Sequence, residues 1–244
     1  MAFEKIITKP IGYELAAKQL ELLQQKREKV SFLSSAGGMF RLEELKNWIK
    51  QEKNFSGIMC WFCLDEDSNF FLAIEPRFNF KYDESNLDKI EPVSEKLIIP
   101  NQILSNEIFE GDILDSSEIE RRLRGFKEDM PVIWKKEATN EEVFVWKENF
   151  KRSVQNSSEL STYGFTYFSK EGLDGNPYLI QFLNQPKIKM VRYYFGLWDY
   201  EFNKLRVILV PVNWRGQNIS PEPNYILGND NLLQYSWPPP PDTF

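Results

Sequence analysis

The sequence predicts an α+β protein formed by tandem duplication of a helix–helix–β-hairpin unit, with antiparallel sheet and pseudo-two-fold symmetry between the copies. Three observations predict this architecture. Apolar residues recur at helical spacing in several segments, short apolar runs flank polar turns, and the same order of segments appears twice. We expect the first copy in residues 1–80, a connecting segment in 81–136 and the second copy in 137–244.

The first copy begins with an amphipathic helix, expected over about residues 12–29, in which leucines and alanines form an apolar stripe. A run of small residues at 34–38 predicts a break, and helical spacing predicts a second helix over about 41–53. The apolar runs 58–64 and 70–74 are separated by a polar turn. They predict a β-hairpin that follows the two helices.

The second copy repeats this order. Thr139 and Glu142 match a capping box, which predicts the start of a helix at this point. A polar break is expected at 155–164, and a further helical segment within 168–183. The expected hairpin strands are 188–197 and 205–212.

The remaining segments are less regular. In the connecting segment, residues 98–100 indicate a possible strand and residues 117–124 a short helix. The chain ends in a run of four prolines that begins after Trp237. This composition predicts a polyproline II tail.

The two copies match in residue type as well as in order. The matched segments are 40–43 with 168–171, 61–64 with 194–197, and 70–76 with 205–211. The last pair ends in proline in both copies, at Pro76 and Pro211, and the loop of the second hairpin is longer by two residues. An internal duplication accounts for these matches better than the general likeness of two helix–helix–hairpin units.

Strand alternation divides each hairpin into two faces. The more apolar face predicts the core: Ile58, Cys60, Phe62, Leu64, Phe70, Leu72, Ile74, Val191, Tyr193, Phe195, Leu197, Leu205, Val207 and Leu209. The opposite face carries Met59, Trp61 and Phe71 in the first hairpin and Arg192, Tyr194 and Arg206 in the second. We expect the helices to cover the core face, which would leave the opposite face accessible unless the two sheets pack on each other through it or residues 81–136 cover it.

The second copy resembles an uncharacterised group of small bacterial proteins. The resemblance is carried by V-R-Y-Y-F-G at 191–196, L-R-V-I-L-V-P-V-N at 205–213, the turn at 216–219 and the terminal prolines. It covers about the last third of the chain and implies architecture only. Trp237 stands near the prolines where that group often has cysteine, so a metal or redox role would not carry over.

Composition limits the classes of function. The net charge is -6, which disfavours nucleic acid and anionic membranes as partners. The chain has no histidine, which excludes Ser-His-Asp and Cys-His catalysis. The N-terminus has no apolar signal region and no run reaches membrane-spanning length, so we expect a cytoplasmic protein.

The two cysteines, Cys60 and Cys63, have the spacing of a redox motif. They lie in a predicted strand, where residues three apart point to opposite faces. We therefore expect Cys60 in the core and Cys63 on the other face, without a disulfide. A zinc site would need more Cys or His ligands than the chain contains, and no sequence motif indicates a metal or another cofactor.

The favoured function is a non-catalytic binding protein, because no nucleophile–base set or phosphate-binding loop is present. The negative charge suits a protein that masks a basic partner, as an immunity or inhibitor protein does. The alternative is a histidine-free enzyme that acts on a small molecule in a cleft between the copies, using Tyr and Arg or carboxylates such as the matched Glu43 and Glu171. The sequence leaves the oligomeric state open.

The expected contact surface is the face of the hairpins opposite the core. Its candidate residues are Trp61, Arg192, Tyr194, Trp198 and Arg206. Arginine and aromatic residues dominate the energetics of many interfaces, and replacing Arg192 and Tyr194 together is expected to weaken binding without unfolding the protein. Three tryptophans, Trp198, Trp214 and Trp237, lie beside turns, where exposure is costly unless the side chain binds something.

Overall fold

The computed structural model describes residues 8–25, 33–51, 55–78, 97–105, 115–125, 132–134, 140–154, 164–168, 177–198, 204–219 and 232–235. Within these residues the helices are α1 (Tyr13–Gln25), α2 (Leu42–Gln51), α3 (Ser116–Gly125), α4 (Asn140–Val154) and α5 (Tyr178–Leu183). The strands are β1 (Thr8–Ile11), β2 (Ser35–Arg41), β3 (Phe55–Leu64), β4 (Phe70–Phe78), β5 (Gln102–Ser105), β6 (Val132–Trp134), β7 (Gly164–Phe168), β8 (Met190–Trp198), β9 (Lys204–Val212) and β10 (Leu232–Tyr235).

The strands form two antiparallel sheets. Sheet A has seven strands in the order β1-β10-β9-β8-β2-β5-β6, and sheet B has three in the order β4-β3-β7. Both predicted hairpins are present, since β3 pairs with β4 and β8 pairs with β9. The α+β class with antiparallel sheet is therefore confirmed.

Strand β2 replaces the break predicted at residues 34–38. Its small residues are required by close packing. A methyl group on Gly37 would lie 1.9 Å from the backbone oxygen of Tyr193, and one on Gly38 would lie 2.4 Å from the Tyr193 hydroxyl. The prediction of a break was wrong because small residues are typical of loops. In this strand they are small because larger side chains would clash with Tyr193 of the neighbouring strand.

Other boundaries also differ from the prediction. Phe168 belongs to strand β7, so the helix predicted within 168–183 is confined to Tyr178–Leu183 among the described residues. Ile98 forms an isolated bridge with Ile74, and the strand in this region is Gln102–Ser105. Thr139, the first residue of the predicted capping box, and the proline tail lie outside the described residues.

Strands from the two halves of the chain pair with each other. Strand β2 lies beside β8, and β7 lies beside β3. The helices follow the same arrangement, with α1 packed against β8 and α4 packed against β3. Each hairpin is therefore completed by a helix and a strand that come from the other half of the sequence.

The main core lies between the two sheets. All of the predicted core positions on the inner faces of the hairpins are buried in it or pack against it, except Leu197, which is buried but is not part of this cluster. The rings of Phe70 and Phe195 have centroids 4.7 Å apart, and the backbone N–H of Leu72 donates to the hydroxyl of Tyr193 at 3.2 Å. The core face is thus covered largely by the opposite sheet, with α2 and α5 also contributing apolar side chains.

Two smaller apolar clusters cover the outer faces of the sheets. On sheet A, Ala16, Ala17 and Leu20 of α1 pack with Tyr194 and with residues of α3. On sheet B, side chains of α4 pack over the outer face of β3 and β4. Helices α1 and α4 therefore pack on the faces that the sequence led us to expect at the surface, because the inner faces of the two sheets pack mainly on each other.

Candidate functional site

The contact surface predicted from strand alternation is buried. The exposed fractions of Trp61, Arg192, Tyr194 and Arg206 are 4%, 2%, 0% and 6%. Trp198 ends strand β8, and its side chain is outside the described part of the structure. The expectation of an accessible surface at Trp61, Arg192, Tyr194 and Arg206 is therefore wrong, because helices α1 and α4 occupy that side of the hairpins.

Helix α1 approaches sheet A closely at Gly196. A methyl group at this position would lie 2.9 Å from the Cβ atom of Gln19. This close approach seals Tyr194 from water, and burial is the main cause that raises the pKa of its phenol above the usual value. The tyrosine therefore remains neutral and unavailable as a base at physiological pH.

A cluster of charged and aromatic side chains lies beneath α4. Glu75, 0% exposed, forms an ion pair with Arg77, whose Nη2 atom is 2.8 Å from Glu75 Oε1. The indole N–H of Trp61 donates to the same carboxylate oxygen at 3.1 Å. Above this ring lies Lys147, with Nζ 4.4 Å from the ring centroid.

This cluster has the properties of a structural ion pair. Glu75, Arg77 and Lys147 are all buried, so a substrate has no access to them in this conformation. Burial lowers the pKa of Lys147, and burial likewise lowers the pKa of Arg77 against the opposing charge of Glu75. The carboxylate accepts an indole N–H and contacts a guanidinium group, which compensates much of its desolvation.

The space between the two hairpins, where the enzyme alternative would need a cleft, is filled by phenyl rings. Phe62 lies 5.5 Å from Phe70 and 6.4 Å from Phe195, measured between ring centroids. Of the two matched glutamates, Glu43 is exposed on α2 and Glu171 lies outside the described residues. The described residues thus provide no convergent carboxylates at the centre of the fold.

The cysteines occupy opposite faces of β3, as predicted. Cys60 lies in the core between the sheets and Cys63 lies beneath α4, and both are buried free thiols. Burial raises the pKa of Cys63 to about 12. Neither thiol has the exposed, electropositive surroundings of a reactive cysteine.

Trp214 is the large aromatic side chain that the described structure leaves exposed to the greatest extent, at 69%. It lies in the loop that follows β9, residues 213–217, called the Trp214 loop below. The side-chain oxygen of Asn213 accepts the backbone N–H groups of Arg215 and Gln217, at 2.8 and 3.1 Å. Gly216 adopts a φ of 73°, which favours glycine. The loop therefore has a defined conformation of its own.

Arg192 fixes this loop to sheet A. Its guanidinium group donates to the side-chain oxygen of Asn218 at 2.5 Å and to the backbone oxygen of Gly216 at 3.0 Å. Asn218 in turn donates to the backbone oxygen of Leu123 at the end of α3. The hydroxyl of Tyr13 donates to the backbone oxygen of Ile219 at 3.1 Å. A residue predicted to contact a partner instead supports the loop that presents Trp214.

A cation accompanies the exposed indole. The guanidinium carbon of Arg215 lies 4.7 Å from the centroid of the Trp214 ring. Sequence reasoning noted Trp214 as a tryptophan beside a turn but did not select it. Strand alternation ends at Val212, so it could not indicate the direction of a side chain in the following loop.

Comparison with known proteins adds no assignment. No protein-family model, no curated protein and no solved structure matches this chain. In the described part of the chain, no helix is both long enough and apolar enough to cross a membrane. Nor do three or more Cys, Asp or Glu side chains converge there as metal ligands would.

Proposed function

We propose that this chain is a non-catalytic binding protein of the bacterial cytoplasm, and that the Trp214 loop is its contact element. One observation carries the proposal: an indole 69% exposed stands on a loop whose conformation is fixed by internal hydrogen bonds. Tryptophan and arginine are enriched among the residues that dominate binding energies. A rigid loop loses little conformational entropy when it binds.

The charge of the molecule bears on the type of partner. A net charge of -6 attracts a basic protein over long distances, as expected for an immunity or inhibitor protein. The bacterial cytoplasm is proposed from the resemblance of residues 191–196 and 205–213 to small bacterial proteins. Both inferences are independent of the Trp214 loop.

Quantitative affinity capture tests the proposed contact element. The tagged protein and its Trp214→Ala variant are expressed in the organism that encodes the chain, and retained proteins are compared by mass spectrometry. The partner that the variant loses is then purified and titrated by calorimetry. Removing a dominant tryptophan is expected to weaken binding by about thirtyfold or more, which corresponds to roughly 2 kcal/mol.

Phe144→Ala provides the matched control, since Phe144 is also an exposed aromatic residue, on α4. This variant should bind the partner as the parent protein does. Urea unfolding must show that Trp214→Ala keeps the parent's stability. If the two variants retain the same proteins with equal affinity, the Trp214 loop is not the contact element.

We also propose that the chain arose by internal duplication and that the two copies exchange their first helix and strand. The hairpins support this, because Pro76 lies opposite Ile58 and Pro211 lies opposite Val191. The exchanged strands support it too: Gly37 pairs with Tyr194, and Gly164 pairs with Trp61. Trp61 and Tyr194 are the residues that match in the two hairpins.

Backbone contacts measured by NMR test the exchange. It requires close contacts between Gly38 and Tyr193 and between Cys60 and Phe165, which are paired in the two sheets. Contacts of β2 with β3 in place of β8 would contradict it.

A further inference from the structure

We infer that the Trp214 loop, together with the lysines beside it, binds an acidic segment of a partner protein. This inference rests on the proposed function and specifies the chemistry of the partner at the same site. It begins with Lys46, Lys50 and Lys189, which are called the lysine cluster here.

The lysine cluster lies where α2 meets the start of β8. Lys46 and Lys50 are one helical turn apart on α2, and the N–H of Leu42, the first residue of that helix, donates to the backbone oxygen of Lys189 at 3.1 Å. Burial is the main cause that lowers the pKa of Lys46, and the charges of Lys50 and Lys189 lower it further. The ammonium group of Lys46 is therefore repelled by those of Lys50 and Lys189.

No carboxylate neutralises this cluster within the part of the chain that the structure describes. The nearest acidic side chains on the same helix are Glu43, which is exposed, and Glu44, which interacts with Arg41. Lys50 and Lys189 are exposed and Lys46 is partly exposed. An anionic group from outside the chain would relieve their repulsion.

The lysine cluster adjoins the Trp214 loop. The backbone N–H of Lys189 donates to the backbone oxygen of Val212 at 2.8 Å, and Trp214 follows Val212 by two residues. Arg215 adds a fourth cation, above the indole ring. An exposed apolar ring thus carries a guanidinium group above it and lies on a loop whose first strand neighbour, Lys189, belongs to the lysine cluster, in a molecule whose net charge is -6.

This combination selects the ligand chemistry. A segment with two or more carboxylates next to an apolar side chain could pair with the lysines and cover the indole. The negative charge of the remaining surface would repel that segment elsewhere, so binding would be oriented. A nucleic acid fits less well, because its uniform negative charge would also meet the acidic remainder of the molecule. An acidic segment can belong to a partner that is otherwise basic.

Selection from displayed peptides tests the inference with the intact chain. Random peptides of about twelve residues are selected on the parent protein, and enriched sequences are synthesised with a fluorescent label for anisotropy titration. We expect enrichment of Asp and Glu beside an aromatic or aliphatic residue. Affinity should fall by about tenfold or more in Lys46→Glu/Lys189→Glu and in Trp214→Ala, and added salt should weaken binding.

Arg152→Glu is the charge-reversal control for the single variants Lys46→Glu and Lys189→Glu, because Arg152 is exposed on α4, outside the lysine cluster. It should bind the peptides nearly as the parent does. If Trp214→Ala abolishes binding but the lysine reversal does not, the acidic segment is wrong and the binding loop stands. Both the acidic segment and the binding loop are wrong if neither variant changes the affinity for the peptides. They are also wrong if no peptide is enriched and neither substitution changes the affinity for the native partner. If a labelled single-stranded oligonucleotide binds where the peptides do not, and binding depends on the same lysines, the ligand is a nucleic acid and the proposed acidic protein segment is wrong.

Discussion

Replacing Arg192 by methionine removes the side chain that fixes the Trp214 loop to sheet A. Two charged hydrogen bonds are lost, to the Asn218 side chain at 2.5 Å and to the Gly216 backbone at 3.0 Å. Hydrogen bonds of charged groups contribute about 1.5–3 kcal/mol each, and acceptors left unsatisfied inside the protein add to the loss. We therefore expect the free energy of unfolding to fall by about 3–6 kcal/mol.

Urea unfolding followed by circular dichroism measures this change, with the midpoint and slope fitted for parent and variant. Arg215→Met is the matched control, since Arg215 is exposed and, among the described residues, its guanidinium group lies over the Trp214 indole. Its effect should stay within about 0.5 kcal/mol. Arg192→Lys keeps the charge but lacks the planar guanidinium group, so its free energy of unfolding should lie between those of Arg192→Met and Arg215→Met. Hydrogen exchange across residues 213–219 should accelerate in both Arg192 variants.

Equal stability of Arg192→Met and Arg215→Met would refute this reasoning, since it would mean that Arg192 is not buried against the loop. The same burial reverses one sequence-based expectation. Replacing Arg192 and Tyr194 together was expected to spare the fold, but with exposed fractions of 2% and 0% these residues belong to the interior. The double alanine variant should therefore unfold or lose most of its stability.

Three further outcomes follow from the packing of the helices on the sheets. Gly196→Ala places a methyl group 2.9 Å from the Gln19 Cβ atom, so α1 must shift. Thermal unfolding should show a loss of stability of about 1–3 kcal/mol. Unchanged stability would mean that α1 lies farther from β8. The Cys63 thiol keeps its proton to about pH 12 in the folded state but ionises near pH 8.5 in the unfolded state. Because the unfolded state then binds fewer protons, the free energy of unfolding should fall by about 1.4 kcal/mol per pH unit above roughly pH 8.5. The Cys63→Ala variant should show a shallower decline, and identical pH profiles of the two proteins would contradict the burial of this thiol. Arg77→Met removes the guanidinium group that pairs with the buried Glu75 carboxylate and should cost about 3–5 kcal/mol. Adding Glu75→Gln should restore part of that loss, and a double variant less stable than the single one would show that the pair is not coupled in this way.

The local pattern of the sequence predicted the hairpins and their inner faces well. Side chains alternate along a strand, so the apolar positions from Ile58 to Phe62 and from Val191 to Phe195 had to share a face. The cysteines followed from the same alternation. The prolines that the sequence matched with each other, Pro76 and Pro211, lie opposite Ile58 and Val191 in the two hairpins.

The sequence by itself determined the α+β class, the two hairpins, the helices that flank them and the composition of the central core, because these depend on periodicity within short segments. Only the tertiary structure decided which face of each hairpin meets the other sheet and which meets a helix. It revealed β2, whose glycines are required by Tyr193 across the sheet, and it converted Arg192 from an expected contact residue into an internal support. The candidate site was missed for the same physical reason. Burial and exposure of a side chain depend on segments far away in sequence, and Trp214 is exposed because of where the chain turns after β9, which no local period encodes.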